Sequence, residues 1–328
     1  MKSFITKIKV CMIIVSVFLT LTGCSESVAE SSEVKINIGS LKGPTTIGIL
    51  NLMEQCEKDG ENSQYTFTMA TTADELLPKM ISKELDIALI PANVASILYN
   101  KTNGGIVVLD INTLGVLYAV SADTDIKDIA DLRGKDIFVT NKGTTPDYCL
   151  QFLLEANGIG LDEVNIEYKS EAAEVAALLA ENDDAVGILP QPFVTVATAK
   201  SEKLKSVINL SDAWDKAAEG SSRLVTGVTV VRKDFLLENK EAVELFMERQ
   251  KESVNLAVTD LDTTAELIAE KGIIEKPEIA KKALPACNIV YIDKNDMKSA
   301  LQGYIEALAQ KDIKSVGGKI PDEDFYYE

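Results

Sequence analysis

The chain has 328 residues, a formal net charge of -18 and no histidine. Its acidic surface argues against nucleic-acid binding and against peripheral binding to anionic lipids. Without histidine, Ser-His-Asp triads, other histidine-based acid–base catalysis and most zinc sites are excluded. The 46% hydrophobic and 26% charged residues are typical of a globular α/β protein, and the length is sufficient for two domains.

The first 33 residues carry the pattern of an export signal. Three lysines and no acidic residue precede the run Val10–Thr22, which is apolar or hydroxylated. That run is too short to span a bilayer comfortably but has the length of a signal-peptide core. It leads into Leu21-Thr22-Gly23-Cys24, which resembles the bacterial lipoprotein cleavage box. We therefore predict a signal peptide at 1–23 and a lipidated Cys24 that begins a polar tether, 24–33. The alternative is a short anchor helix in which Cys24 is incidental.

From residue 34 to about 110, short apolar runs alternate with helical patterns, which is typical of a largely parallel sheet with helices on both faces. The predicted strands are 34–39, 65–70, 86–90 and 105–110. The predicted helices are 44–58, one opened by the capping-box spacing of residues 72–75, and 91–100.

A second set of strand and helix patterns follows. The run 114–120 is predicted to carry the chain into it, and 224–231 to carry the chain back. Between these runs we predict strands at 135–140, 164–168 and 185–189 and helices at 146–157 and 171–180. Beyond residue 232 the pattern predicts mostly amphipathic helix, with one short apolar run at 287–292.

The predicted fold class is therefore α/β, with mixed, mostly parallel sheets and helices on both faces. Lobe I comprises 34–115 plus 228–328, and lobe II comprises 116–227. Two crossing segments join the lobes, and a ligand cleft lies between them.

Four loops at the ends of predicted strands have the chemistry of a ligand site. Open α/β sheets bind ligands beyond the carboxyl ends of their strands, where helix N-termini present free N–H groups. The predicted ligand-binding residues are Lys42, Gly43, Pro44, Thr45, Thr46, Pro91, Ala92, Asn93, Asn141, Lys142, Gly143, Thr144, Thr145, Gln191 and Pro192 from these loops, with Tyr118 from the first crossing segment. The alternative is that they form ordinary strand-to-helix turns, which use the same residue types. The recurrence of a Lys-Gly loop with paired threonines in both lobes favours the site.

Other motifs of chemistry are missing from the sequence. Three cysteines remain beyond Cys24, without CxxC spacing, and are predicted to be buried free thiols. No dinucleotide fingerprint, P-loop or metal-ligand spacing occurs, so we predict no cofactor and no metal.

Several stretches carry a resemblance to a known family. These are Leu41–Gly48, Asp128–Lys135, Lys142–Asp147 and Leu189–Phe193. With the lipoprotein-like start, they resemble the ABC-transporter substrate-binding proteins of the nitrate, sulfonate, taurine and thiamine-precursor group, which is NMT1-like and has the type II periplasmic-binding fold. The resemblance covers nearly all of the chain beyond residue 33.

This resemblance implies a monomeric protein that closes two lobes around a small-molecule ligand and presents it to the permease and ATPase subunits of an importer. It implies an extracytoplasmic location, with the membrane reached through the lipid anchor only, and the composition suits a Gram-positive cell. An anionic ligand and a heterocyclic ligand both remain open.

Two rival functions remain. Relatives of this fold include cytoplasmic enzymes of menaquinone synthesis and a pyrimidine synthase that sacrifices its own histidine. The export signal argues against the first, and the lack of histidine excludes the chemistry of the second. A sensor that presents its closed form to a membrane receptor uses the same two-lobed design, so the sequence does not separate it from an importer component.

Overall fold

The computed structural model describes residues 34–140, 142–219 and 222–328. The predicted signal peptide, Cys24 and the tether lie outside the described residues, and so does Asn141. Among the described residues, no helix combines the length and the apolar character that are needed to cross a membrane.

The first sheet has six strands in the order β11-β4-β10-β3-β1-β2. Its strands are β1 (Ile36–Leu41), β2 (Tyr65–Ala70), β3 (Ile87–Pro91), β4 (Ile106–Leu114), β10 (Val225–Arg232) and β11 (Ile289–Asp293). Strand β1 is parallel to β2 and β3, whereas β10 is antiparallel to both of its neighbours. The run predicted to bring the chain back from the second domain thus pairs in the centre of this sheet.

The second sheet has five strands in the order β7-β6-β8-β5-β9. Its strands are β5 (Leu117–Ser121), β6 (Asp136–Thr140), β7 (Asn165–Lys169), β8 (Val186–Pro190) and β9 (Lys205–Asn209). Strand β6 is parallel to β7 and β8, whereas β5, which enters from the first sheet, is antiparallel to β8 and β9. The short, half-polar β9 was absent from the sequence prediction. Both sheets are mixed, as predicted, with antiparallel pairing at the strands through which the chain crosses.

The helices cover the faces of both sheets. They are α1 (Pro44–Ile47), α2 (Leu50–Asp59), α3 (Ala73–Ile81), α4 (Ala92–Lys101), α5 (Thr145–Ala156), α6 (Ala172–Glu181), α7 (Phe193–Lys200), α8 (Leu210–Ala217), α9 (Lys233–Glu238), α10 (Lys240–Thr259), α11 (Leu261–Glu270), α12 (Pro277–Ala283) and α13 (Lys294–Lys311). The capping box that was predicted to open α3 is present, since Thr72 N–H donates to Glu75 Oε1 at 2.9 Å.

The single helix predicted at 44–58 is two helices, α1 and α2. Tight packing surrounds the junction, because a Cβ at Gly48 would stand 3.0 Å from Val254 Cγ2 and 3.2 Å from Ile289 Cγ2. The amide of Ile49 donates to Thr46 O at 3.0 Å, which is the shorter spacing of a 3₁₀ turn. Packing of the first turn against distant elements, invisible in the local sequence, divides the helix.

One buried apolar cluster extends across both sheets. Within it, Trp214 of α8 stacks on Phe152 at a centroid distance of 4.1 Å and lies 5.6 Å from the ring of Tyr304 on α13. The last long helix therefore packs against elements of the second sheet, and apolar burial of about 25 cal/mol per Å² holds the two halves together. The three cysteines beyond Cys24 are buried and free, as predicted, and burial raises the pKa of the Cys287 thiol to about 12.

Candidate functional site

The first predicted loop follows β1 and folds against the centre of the first sheet. Thr45 and Thr46 are buried, and both hydroxyls donate to Leu41 O, the first at 3.1 Å. A Cβ at Gly227 on β10 would stand only 2.5 Å from Thr45 Cγ2, so only a glycine permits this close approach. Because both hydroxyl hydrogens are already donated to Leu41 O, each threonine hydroxyl can only accept a hydrogen bond from a ligand.

The second and third loops meet across the two sheets. Asn93 lies in the first turn of α4 after β3, and Thr145 begins α5 shortly after β6. Thr145 Oγ1 lies 3.4 Å from Asn93 Oδ1, and the two residues are only 8% and 5% exposed. The structure thus brings together two predicted site residues that are 52 positions apart, each at the carboxyl end of a parallel strand in a different sheet.

A buried carboxylate that sequence reasoning missed organises the third loop. Asp147 accepts hydrogen bonds from Gly143 N–H at 2.7 Å, Gln151 Nε2 at 2.6 Å and the Tyr168 hydroxyl at 2.9 Å. Burial and this hydrogen bond to Asp147 raise the pKa of Tyr168 to about 12. The position of Asp147, three residues after Thr144, is the spacing of a capping box and is the signal that identifies it.

The two predicted loop lysines stand at the periphery of the loops. Lys42 is exposed, and its Nζ lies 3.7 Å from the point that a Cβ would occupy at Gly272. Lys142 is exposed as well, and its Nζ stands 5.3 Å from the ring centroid of Tyr168. Both lysines are therefore at the exposed edge of their loops, and neither ammonium group is buried between the sheets.

The fourth loop and Tyr118 supply further contacts near the crossing segments. Gln191 is buried, and its Oε1 accepts from Thr195 Oγ1 at 2.9 Å. The Tyr118 hydroxyl, on β5 of the second sheet, donates to Ala286 O at 3.3 Å in the turn before β11 of the first sheet. Burial raises the pKa of Tyr118 above its ordinary value, so its hydroxyl stays protonated at neutral pH. This is a second hydrogen bond between the two sheets.

A buried polar network lies behind the first loop. Asp110 on β4 is fully buried, and its Oδ1 accepts from Thr229 Oγ1 at 3.0 Å and Gln250 Nε2 at 3.1 Å. Burial raises the pKa of Asp110 well above its usual range. Asn112, two residues on, donates to Thr229 and approaches Gly227 beside Thr45. The polar positions Asp110 and Asn112 within an apolar strand were the available signal, but the predicted strand ended at Asp110.

One group of acidic residues in the described chain has the spacing of a metal site. Glu54, Glu57 and Glu270 bring their carboxylates together. Lys271 pairs with Glu57 at 2.6 Å, and Lys58 pairs with Glu54 at 2.8 Å. These ammonium groups compensate the charge, so the cluster is an ordinary surface ion-pair network and gives no reason to assign a metal.

A family model described as menaquinone biosynthesis matches residues 44–304. The chain belongs to this family. Four Brucella proteins, from B. abortus, B. suis and B. melitensis strains and named only as candidate binding proteins, are 24% identical over 186 residues. That alignment covers 57% of this chain and 56% of each relative, so it spans little more than half the length of these relatives.

Several solved structures have the same fold as this chain. An ABC transporter protein from Parabacteroides distasonis is 24% identical with a TM-score of 0.76, covering 90% of this chain and 99% of the other. The periplasmic aliphatic sulphonate-binding protein of Escherichia coli is 12% identical with a TM-score of 0.72, covering 90% and 92%. A Candida albicans protein described as having the generic periplasmic binding protein fold is 15% identical with a TM-score of 0.59, covering 89% and 92%. The fold predicted from the sequence is confirmed.

Proposed function

We propose that the protein is a solute-binding component of an ABC importer that captures a small polar metabolite between its two sheets. The contact between Asn93 and Thr145 carries the proposal, because it joins the ligand loops of the two sheets in a buried position. Two α/β lobes, 34–115 plus 228–328 and 116–227, would close around the ligand, which would stabilise the closed form through contacts to both lobes.

The chemistry of the meeting point favours a ligand that is bound by hydroxyl and amide groups. The buried residues Asn93, Thr145 and Gln191 and the half-buried Tyr118 offer neutral donors and acceptors at the predicted loops and the crossing segment, whereas both loop lysines are exposed. Helix α4 also begins here, and its first turn holds no acidic residue, so its free N–H groups favour a ligand oxygen. We therefore propose a neutral heterocyclic or amide-containing metabolite, or one whose anionic oxygen is held by N–H groups and not by a lysine.

Delivery to a permease follows from the proposed anchor and from the fold. Cys24 would carry the lipid and anchor the protein to the outer face of the cell membrane. The permease and ATPase subunits of the ABC importer would be the partners of the protein. The fold likeness to an ABC transporter protein and a sulphonate-binding protein supports this assignment. Replacement of Cys24 by serine is expected to release the protein from the membrane fraction, and retention would contradict the anchor.

The family description makes an enzyme of menaquinone synthesis the second candidate. An enzyme needs a group that exchanges protons with its substrate. At the third predicted loop the buried carboxylate is Asp147, and three hydrogen bonds, from Gly143, Gln151 and Tyr168, already engage it. This arrangement favours a binding protein. Turnover of a screened metabolite, followed by mass spectrometry, would decide for the enzyme instead.

The test is a thermal-shift screen of the purified protein against small metabolites, followed by calorimetric titration of each hit. A ligand at a hundred times its Kd stabilises the folded state by about 2.7 kcal/mol. Trp214, the single tryptophan, packs between Phe152 on α5 and Tyr304 on α13, so a change in its fluorescence on addition of a hit would indicate a rearrangement between these helices.

Matched variants connect any hit to the site. Asn93→Ala and Thr145→Val are each expected to weaken binding by about tenfold, the effect of one lost hydrogen bond to a ligand. The controls, Asn255→Ala and Thr66→Val, change exposed residues and should leave affinity unchanged. Equal affinity in the site variants and the controls would show that the ligand binds elsewhere.

A further inference from the structure

A groove of about 500 Å³ lies beside the proposed site and has different chemistry. One wall is the alanine face of α6, the second is α7, and the third is the segment after α11. The residues that line it are Ala173, Ala176, Ala177, Ala180, Pro192, Phe193, Val196, Ala197, Ala199, Lys200, Ser201, Leu204, Ile273, Ile274, Glu275, Lys276 and Ile279. Its size lies within the range of small-ligand pockets.

The lining of the groove is apolar and partly open to solvent. Phe193 is 38% exposed, and Ala173, Ala177 and Ala180 of α6 are exposed on the same helical face. When an apolar ligand occupies the groove, these exposed apolar side chains are removed from water. The free energy gained is proportional to the apolar area that is buried. The lining of the groove therefore favours an aliphatic or aromatic ligand, whereas the hydroxyl and amide groups around Asn93 favour a polar one.

Positive charge predominates at the rim. Lys200 and Lys276 line the groove with a single acid, Glu275. Within the described chain neither side-chain ammonium group has an ion pair or a hydrogen bond to another residue. Outside the lining, Lys42 Nζ lies 3.7 Å from the Cβ position of Gly272, the residue before Ile273. In a chain of net charge -18, this local excess of cations is complementary to an anion.

We propose that the groove is a second small-molecule site that binds an amphiphilic anion, an aliphatic carboxylate whose body lies on the alanine face and whose head meets the lysines at the rim. Its walls come from α6 and α7 of the second sheet and from the chain after α11, and α7 packs against α12. The width of the groove, and hence ligand binding, therefore depends on the distance between α6, α7 and the chain after α11. The site goes beyond the proposed function and does not require it.

The experiment is calorimetric titration of the purified full-length protein with octanoate and with propionate, which share a head group and differ in the length of the apolar body. Octanoate is expected to bind with one site and at least about tenfold more tightly than propionate, because burial of two additional CH₂ groups already gives this ratio. Equal affinity for the two acids would overturn the proposal.

Variants assign the binding to the groove. Ala177→Phe fills it and should abolish saturable octanoate binding while the melting temperature stays near that of the wild type. Lys276→Glu should weaken binding by about threefold or more, whereas Lys282→Glu, an equal change of charge at an exposed α12 residue outside the lining, should not. Unchanged octanoate binding in Ala177→Phe and Lys276→Glu would refute the assignment.

The other occupants of such a groove are outcomes of the same series. If octanoate shows no saturable binding and the wild type instead self-associates in light scattering, with Ala177→Phe monomeric, the groove is a contact between two copies and the small-molecule site is refuted. Asn93→Ala should bind octanoate normally, so failure of the inter-sheet site and failure of the groove are distinguished.

Discussion

A buried ion pair at the opposite end of the first sheet offers the sharpest test of the packing described above. Asp86 immediately precedes β3, whereas the ligand loop follows the end of that strand. Its Oδ1 lies 2.8 Å from Arg232 Nη2, and its Oδ2 accepts from Asn37 N–H at 2.8 Å. The side chains of Arg232 and Asp86 are only 11% and 7% exposed, so the pair ties β1, β3 and β10 together where water has little access.

Replacement of Asp86 by alanine leaves the Arg232 guanidinium in a buried position without this carboxylate. Breaking one partner of a buried pair costs about 3–5 kcal/mol. Arg232 keeps its bond from Nε to Leu85 O at 3.0 Å and its pair with the half-exposed Asp234 at 2.6 Å. We therefore expect the lower end of the range, about 3 kcal/mol, and a fall in melting temperature of roughly 6–12 °C.

Urea unfolding of Asp86→Ala, Arg232→Met and the double variant measures the effect. The double variant is expected to be more stable than the sum of the single losses predicts, because no uncompensated charge remains buried. Asp183→Ala is the matched control, since its pair with Lys203 is 61% and 65% exposed and should change stability little. A loss below about 1 kcal/mol in Asp86→Ala, or strict additivity, would refute the reasoning.

Three further predictions concern the site and the network behind it. Asp110→Asn should flatten the dependence of the unfolding free energy on pH. Burial raises the pKa of the Asp110 carboxyl in the folded state. The contribution of this carboxyl to stability is therefore complete below the pKa of the unfolded state and is lost, at about 1.4 kcal/mol per pH unit, as the pH rises toward the pKa of the folded state. Urea midpoints between pH 4 and 8 check this, and parallel curves for the two proteins would contradict it. Gly227→Ala should cost about 1–3 kcal/mol and weaken ligand binding, because its Cβ would stand 2.5 Å from both Thr45 Cγ2 and Asn112 Oδ1; normal affinity by calorimetry would separate the first loop from the site. Lys142→Ala should keep ligand affinity within about twofold, and a loss of tenfold or more would mean that this lysine binds the ligand after all.

Features that depend on neighbours in the sequence were predicted well. The capping box of Thr72 and Glu75 spans three residues, and its hydrogen bonds form within one turn. The leading strands β1 and β6 were likewise predicted from local apolar runs with loops after them. Such signals are strong because the helix and strand periods are short.

Features that depend on distant neighbours escaped the sequence. Strand β9 is half polar and buries only Ile208 fully, so its pairing with β5 is decided by the sheet and not by its own composition. The break at Gly48 depends on side chains of α10 and β11. Asp110 was assigned to the end of a strand, although Thr229 and Gln250, more than a hundred positions away, make it part of a buried network.

Local periodicity and turn chemistry were sufficient to predict the α/β class, the order of most elements and the loops from which a site could be built. Which of these loops meet became apparent only in the folded protein. The tertiary structure placed Asn93 against Thr145 and directed Lys42 and Lys142 to the periphery, although all four have suitable residue types for a site. The physical reason is that contact between residues far apart in the chain is set by how the sheets pack, and packing depends on the shape of the whole buried core.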